Sequence, residues 1–447
     1  MHDVTEVANP PRAGIRGDII GAVAGAALVT AAFVVPRIAS KQWRDSLYAG
    51  AAPLFGDWLP HIGWGTVPAL LIAAIVVMYG AELAARLPFR RLLVLAWVTT
   101  IGWAFCLAMV DGWQRGFAGR LTDPNEYLHE VGGVTDIPAM LRGFSDRILD
   151  FQPDSWTTHV SGHPPGALLF FVLLDRAGLG GGAWAGLACM LIGCSAVVAV
   201  AVALSALGAE DRARAALPFL TLAPAALWLA VSADAIFAGV TAWAVALLAI
   251  AARPSGRPIV AAAAGMLFGF GIYLSYGLVL MAIPAVAVLI AGRTMRPLLP
   301  ALTGALAVCV AFTMSGFWWV DGYHLVVQRY YQGIASERPL VYWSWGNLAA
   351  TVCSVGAATV GALHRALSRN ALRALDPTAL LVVASLCAIL IADVSGLSKA
   401  ETERIWLPFA IWLVAATAFL PKSGARAWLA VQALGTLLIA HTILTNW

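Results

Sequence analysis

Charge is scarce along this chain. Only 12% of its 447 residues are Asp, Glu, Lys or Arg, whereas 60% are hydrophobic and the mean hydropathy is +0.81. A water-soluble globule carries about a quarter of its residues charged, so lipid must be much of the solvent here. Lysine is scarcer still, with Lys41, Lys399 and Lys422 the only three among 28 basic residues; with the abundant alanine this suggests a GC-rich bacterial gene. The six cysteines (Cys106, Cys189, Cys194, Cys309, Cys353, Cys387) all fall in apolar runs. No CxxC pair and no histidine at metal-ligand spacing accompanies them, which argues against zinc or dithiol chemistry and for small core residues. No trustworthy small-x-small cleavage site follows the polar start with Arg12 and Arg16, as expected of an uncleaved first helix. Internal repeats, low-complexity stretches and a second domain are lacking too. In such a chain a net charge of +4 says nothing of nucleic acid, and none is expected as a partner.

What is present is a succession of apolar runs of about 17 to 25 residues, each long enough to cross a hydrocarbon core about 30 Å thick as a helix. The fold expected is all-α, a polytopic transmembrane helical bundle of about thirteen spans. They lie at 17–36, 63–86, 91–110, 183–207, 214–231, 235–252, 258–274, 276–292, 298–318, 343–363, 378–395, 404–421 and 427–445. This makes 1–447 one transmembrane domain: three spans in 17–110, a loop with juxtamembrane helices at 111–182, spans four to nine in 183–318, a second loop at 319–342, and spans ten to thirteen in 343–447. In the first loop, Leu128, Val131, Ile137, Met140, Leu141, Phe144 and Ile148 have helix-like spacing, which predicts amphipathic helices on the bilayer surface.

One shorter run, 164–174 (PPGALLFFVLL), sets the orientation of everything after it. If it does not cross, the loops carrying Arg212 and Arg214, Arg253 and Arg257, Arg293 and Arg296, Arg365, Arg369 and Arg373, and Lys422 and Arg426 share the cytoplasm with Arg86, Arg90, Arg91 and the N-terminus. That obeys the positive-inside rule at every turn. Eleven residues are also too few to cross comfortably, so the run is read as a juxtamembrane or re-entrant helix. Sixteen of the 28 Lys and Arg residues then lie inside and 17 of the 24 Asp and Glu residues outside, so any acid chemistry is extracytoplasmic. A multi-pass protein of a bacterial plasma membrane is the expectation.

The first external loop opens with LTDPNEYLHEV, placing Asp123, Glu126 and Tyr127 beyond a membrane helix. A partly desolvated carboxylate there suits a general base, and a solvated acidic loop is the plainer reading. The loop closes with FQPDSWTTHVSGHPPGALL, where Asp154, His159 and His163 precede two prolines that fix a rigid helix start. Asp234 and Asp393 stand at the ends of apolar segments; Asp234 either caps the helix after Ser232 or faces a partner. In SKAETERIWLPF, Arg404 offers a planar fork suited to a phosphate, with Glu403 or Glu401 to orient it, although snorkelling beside Trp406 fits the same residues. Aromatic and polar residues of the 319–342 loop, among them Trp319, Tyr323, Arg329 and Arg338, suit a sugar or lipid and equally an aromatic belt.

Taken in order, these segments resemble the GT-C superfamily of membrane glycosyltransferases, such as the protein O-mannosyltransferases, the lipid A aminoarabinose transferases and actinobacterial mannosyl- and arabinosyltransferases. Asp123 to Tyr127 matches a D-x-x-x-Y motif; His163, Pro164 and Pro165 match an H-P-P-L-like stretch; Asp234 and the Glu403–Arg404 pair match a later aspartate and an external Glu/Arg. The acidic loop follows the third helix instead of the first, which makes 17–86 an added hairpin, and Tyr273 and Tyr276 stand where relatives often carry a basic residue. The resemblance implies inverting transfer of a sugar from a polyprenyl-phosphate donor to the hydroxyl of an extracytoplasmic glycan, lipid or protein. Asp123 would take the acceptor proton, Arg404 would neutralise the leaving phosphate, and His163, Asp154 or Glu126 would orient the acceptor or share a divalent cation with Asp123, which the spacing does not demand. Tyr127 and His159 would line the substrate site. A lipid or small-molecule transporter and a non-catalytic envelope assembly protein are the competing readings; the near absence of mid-helix charge counts against the first.

Overall fold

The computed structural model describes residues 12–446, and helix dominates it. Its strands among the described residues, Gly56–Trp58 and Ile443–Thr445, pair antiparallel and tie the loop after the first helix to the end of the last one. The polar segment 1–11 of the expected cytoplasmic N-terminus and Trp447 lie outside the described residues.

Seven helices are long and apolar enough to cross a membrane: Gly14–Ile38, Thr66–Arg86, Phe89–Ala108, Gly182–Ala206, Ala233–Ala251, Pro377–Val394 and Lys422–Thr442. Two bent pairs, Leu298–Met314 with Trp319–Gln332 and Leu340–Val355 with Ala357–Ala366, bring the number to nine. All thirteen apolar runs form helix, but four of them are broken or short, so by length and composition seven to nine count as spans and the expected thirteen is not confirmed. Exposed apolar side chains run down the lipid-facing helices, as in Leu299, Leu302, Leu306 and Val310 at helical spacing. Such faces have no place against water, and the chain is a multi-pass membrane protein. Buried residues make up 78% of the best apolar window of Ala233–Ala251 but 17% of that of the first helix, so Ala233–Ala251 is central and the first helix peripheral.

Two breaks have local causes. The run 343–363 bends by 102° at Gly356, whose φ of +83° only glycine adopts readily. A Cβ there would lie 2.3 Å from Gln432 Oε1, while Gln432 Nε2 donates to the freed Val355 carbonyl at 2.8 Å. The run 214–231 stops as a helix at Thr221, where Pro224 lacks a donor and the Leu222 carbonyl accepts from Thr436 Oγ1 at 3.0 Å.

The stretch 164–174 lies within a twelve-residue helix, Pro165–Arg176. Phe89–Ala108 ends, and Gly182–Ala206 begins, at the same end of the bundle: Gly182 packs so closely on the Ala118 carbonyl that a Cβ would come within 1.8 Å of it. The chain therefore leaves and re-enters at one end across 109–181. At the opposite end Arg214 donates to the Ala84 and Leu87 carbonyls at 2.9 and 2.8 Å, Arg212 to Ala418 at 3.0 Å, and Asp18 pairs with Arg365 at 2.5 Å. Basic loops thus gather away from the long acidic ones.

Instead of lying on a bilayer, the 126–151 segment folds into short turns, Leu128–Val131 and Ile137–Arg142, with Gly132 and Gly133 between them. Val131, Met140, Leu141, Phe144 and Ile148 are buried, so their spacing reports inward packing. The Trp319–Gln332 helix turns 74° from Leu298–Met314 and exposes Val320 and Tyr331. The six cysteines are free thiols, four of them buried.

Candidate functional site

The two ends of the first loop meet because the His159 amide donates to the Asn125 carbonyl at 3.0 Å. Glu130 braces this junction by accepting from the Thr157 amide at 3.0 Å and from Arg147 at 3.4 Å. The junction places Glu126 and Tyr127 against His159 and His163. Tyr127 packs 5.9 Å from the His163 ring, 6.4 Å from His159 and 5.2 Å from Phe171, counted between ring centroids. Two prolines start the Pro165–Arg176 helix, and Gly166 lets it touch the backbone of Tyr273, where a Cβ would lie 2.5 Å from the carbonyl oxygen. That contact seats His163 on Phe237, 5.4 Å between centroids and one turn beyond Asp234.

Asp234 is not the cap of its helix. Ser232 Oγ accepts from the Ala235 amide at 3.2 Å and fills that role, leaving the buried Asp234 carboxylate to take Arg404 Nη1 at 2.5 Å. Arg404 Nη2 donates to Glu401 Oε2 at 2.7 Å, and Glu401 Oε1 accepts from Arg338 at 3.2 Å. Glu401, the left-handed residue just before the Thr402–Ile405 turn, faces Arg404; Glu403 points away and accepts from the Phe55 amide at 2.8 Å. Of the two glutamates, Glu401 therefore holds Arg404, and Glu403 anchors the loop at Phe55.

A strained segment delivers Glu401. Ala400 and Glu401 have φ of +71° and +63°, a region that costs a side-chain-bearing residue about 1 kcal/mol or more. Asn347 holds the segment in place: its Nδ2 donates to Asp393 at 2.9 Å and to the Ser398 carbonyl at 2.7 Å, and its Oδ1 accepts from the Ala400 amide at 3.2 Å. The sequence reading did not single out Asn347. Its signal was a lone amide in an otherwise apolar helix, a group whose burial demands partners. Arg120 was also passed over; it lies in the run leading to Asp123 and donates to the Thr445 carbonyl at 2.7 Å.

The electrostatics follow from burial. Glu126 is pushed up to about 7 by desolvation; Arg404 pulls it down, while the carboxylates of Asp234 and Asp123 push it further up. His159 is held well below the usual imidazole range by burial and by the positive field of Arg404. Its Nε2 lies 3.8 Å from Glu126 Oε1, but a neutral ring makes this a polar contact instead of an ion pair. Burial likewise lowers His163. The Nδ1 of His163 faces the His159 carbonyl at 2.8 Å, and a carbonyl only accepts, so Nδ1 carries the hydrogen and Nε2 the lone pair. The buried Tyr127 hydroxyl has no hydrogen-bond partner among the described residues.

Not every expected residue joins this cluster. Asp123 sits exposed at its rim, its Oδ1 accepting from the amide and side chain of Asn125 at 2.9 and 3.0 Å. Asp154 is exposed and lies 3.8 Å from Arg147 on the loop surface. Among the described residues no three or more His, Cys, Asp or Glu side chains are grouped to hold a metal ion. Beside the cluster opens a cavity of about 420 Å³, lined by Thr122, Leu128, His129, Phe171 and Asp175 among others; the 122–129 turn forms part of its wall.

No protein-family model matches the chain, and no curated protein matches it by sequence. Among solved structures it is similar to two of the oligosaccharyltransferase of Archaeoglobus fulgidus, one in complex with Zn and sulfate and one tethered by a disulfide to an acceptor peptide containing the NVT sequon. The TM-score is 0.45 for each, with identities of 13% and 12% over 78% and 79% of this chain. The matched part makes up 53% and 55% of those archaeal chains, so this chain spans about half their length.

Proposed function

We propose that the chain is a membrane glycosyltransferase of the GT-C kind, moving a sugar from a polyprenyl-phosphate carrier to an extracytoplasmic acceptor hydroxyl. The observation that carries this reading is one buried constellation at the loop end of the bundle: a carboxyl near pH 7, Glu126, with two neutral imidazoles, facing the Arg404–Asp234–Glu401 ion group. The clustering of Arg86, Arg212, Arg214, Arg365 and Lys422 at the other end supports a cytoplasmic assignment for that face and an external one for the site.

In this reading Glu126, whose affinity for protons matches neutral pH, takes the acceptor proton as the acceptor oxygen attacks the anomeric carbon. The bond from that carbon to the phosphate oxygen breaks on the opposite face, inverting the centre, and Arg404 offsets the charge left on the lipid phosphate. His163 Nε2 and the Tyr127 hydroxyl orient the sugar or acceptor, while Asp123 at the rim receives the acceptor and His159 keeps Glu126 in a low-dielectric setting. Asp234 holds Arg404 in line. Glu403 acts at a distance, through the loop at Phe55. Asp154 serves the loop fold.

The test uses the full chain in proteoliposomes, offered polyprenyl phosphates bearing radiolabelled mannose, arabinose or glucose, with membrane glycolipid extract as acceptor. Release of polyprenyl phosphate from one donor is expected, with a loss of at least a hundredfold in Arg404→Ala. Movement of labelled lipid across the bilayer with no donor turned over would replace the transferase by a flippase.

A further inference from the structure

The Glu401 carboxylate bridges two guanidinium groups, with Oε1 on Arg338 at 3.2 Å and Oε2 on Arg404 at 2.7 Å. Both arginines are at least nine-tenths buried, and Arg338 Nε, also buried, has no hydrogen-bond partner among the described residues. Arg338 further donates to the Lys399 carbonyl at 2.7 Å. A buried guanidinium needs an anionic or dipolar partner, and the planar fork of arginine suits phosphate as well as carboxylate. Here a carboxylate from the chain itself occupies that place.

We infer that Arg338 and Arg404 form one two-armed site for a phosphate group, and that Glu401 is its internal competitor. The inference rests on the transferase reading for the source of the phosphate and goes beyond it in naming the second arm and the occupant. With Glu401 in place, Arg338, Arg404, Asp234 and Glu401 sum to zero charge. With Glu401 turned away the same pocket carries one net positive charge, which attracts the negative charge of a phosphate group. The turn needs a side-chain rotation only, because Glu401 keeps 17% of its side chain exposed while Asn347 holds the backbone of the segment. The left-handed backbone at Ala400 and Glu401 aims the carboxylate between the two arginines. Incoming phosphate therefore competes with Glu401, and departing lipid phosphate is displaced by its return.

Calorimetric titration of the detergent-solubilised full chain with farnesyl phosphate, and separately with inorganic phosphate, tests this. Glu401→Gln, which keeps the shape and removes the competing charge, should bind farnesyl phosphate about tenfold tighter than the wild type, and Arg338→Gln at least tenfold weaker. Matching responses to inorganic phosphate would assign the site to free phosphate, and responses confined to farnesyl phosphate to a lipid-linked group; both uphold the two-armed site. Unchanged or weaker binding in Glu401→Gln, or unchanged binding in Arg338→Gln, overturns it. Should Glu401→Gln fail to fold, Glu401→Asp, too short to bridge both arms, carries the same expectation. Sugar transfer is not read in this titration, so a failed transferase assay with these shifts intact would remove the transferase reading and leave the site.

Discussion

The buried charges make the sharpest statements at the scale of single residues. Glu403 is fully buried and pushed up to about 7, chiefly by desolvation, against an ordinary value of 4.5. A carboxyl raised in the fold binds protons more tightly folded than unfolded, so its contribution is full below about 4.5 and is lost as pH rises through about 7. Glu403→Gln, which keeps an acceptor for the Phe55 amide, should therefore gain stability over the wild type on going from pH 5 to pH 8, by up to about 3 kcal/mol. Thermal melts at the two pH values check it, and parallel melting curves would contradict it. For Arg404 and Asp234 the expectation is non-additivity. Arg404→Ala strands the buried Asp234 carboxylate at about 3 to 5 kcal/mol, whereas Asp234→Ala leaves Arg404 its Glu401 partner; with the Asp234 charge gone, the double change should cost less than the sum of the single ones. The partner of Asp234 was not legible in the sequence, since it lies 170 residues away. That Glu401, and not Glu403, holds Arg404 was not legible either, because the left-handed backbone at Ala400 and Glu401 sets where that carboxylate points.

Among elements, Leu340–Val355 carries both the break at Gly356 and Asn347, which holds the strained turn before Arg404. Gly356→Ala meets both an unfavourable φ and the Gln432 amide, and should destabilise by about 1 to 3 kcal/mol, read as a lower melting temperature. Asn347→Leu keeps the volume but leaves the Ala400 amide and Asp393 without their partner; it should weaken donor use far more than Gly356→Ala does. Equal effects of the two on activity would count against a positioning role for the 395–402 segment. Hydropathy reported every apolar run, because burial from water is a property of composition. It did not report where the runs break: the Gln432 cap on Val355 and the Thr436 contact at Leu222 come from a helix far along the chain. The helical spacing in 126–151 was visible, but composition does not distinguish a lipid surface from a protein core as the partner of its apolar side.

For the whole molecule, the 109–181 connection departs from and returns to one end of the bundle, which fixes the relative sides of everything after it. A reporter fused near residue 210 should be cytoplasmic and one near residue 151 external; finding both on one side would contradict this path. The charge pattern made this much readable without coordinates, since helix-terminal arginines repeat at one end. The meeting of the two loop ends through His159 and Asn125, which builds the site, is a tertiary contact that no local pattern announces. The central claim is that a buried carboxyl at this meeting point takes a proton during sugar transfer. Its most direct test is the pH dependence of transfer by the reconstituted protein, wild type beside Glu126→Gln, with whichever polyprenyl-phosphate sugar the chain turns over. The account predicts a wild-type rate that rises through about pH 7, as Glu126 ionises, and levels off above it, with a loss of at least a hundredfold at every pH in the variant. A Glu126→Gln protein that transfers sugar at the wild-type rate with the same pH profile would contradict it.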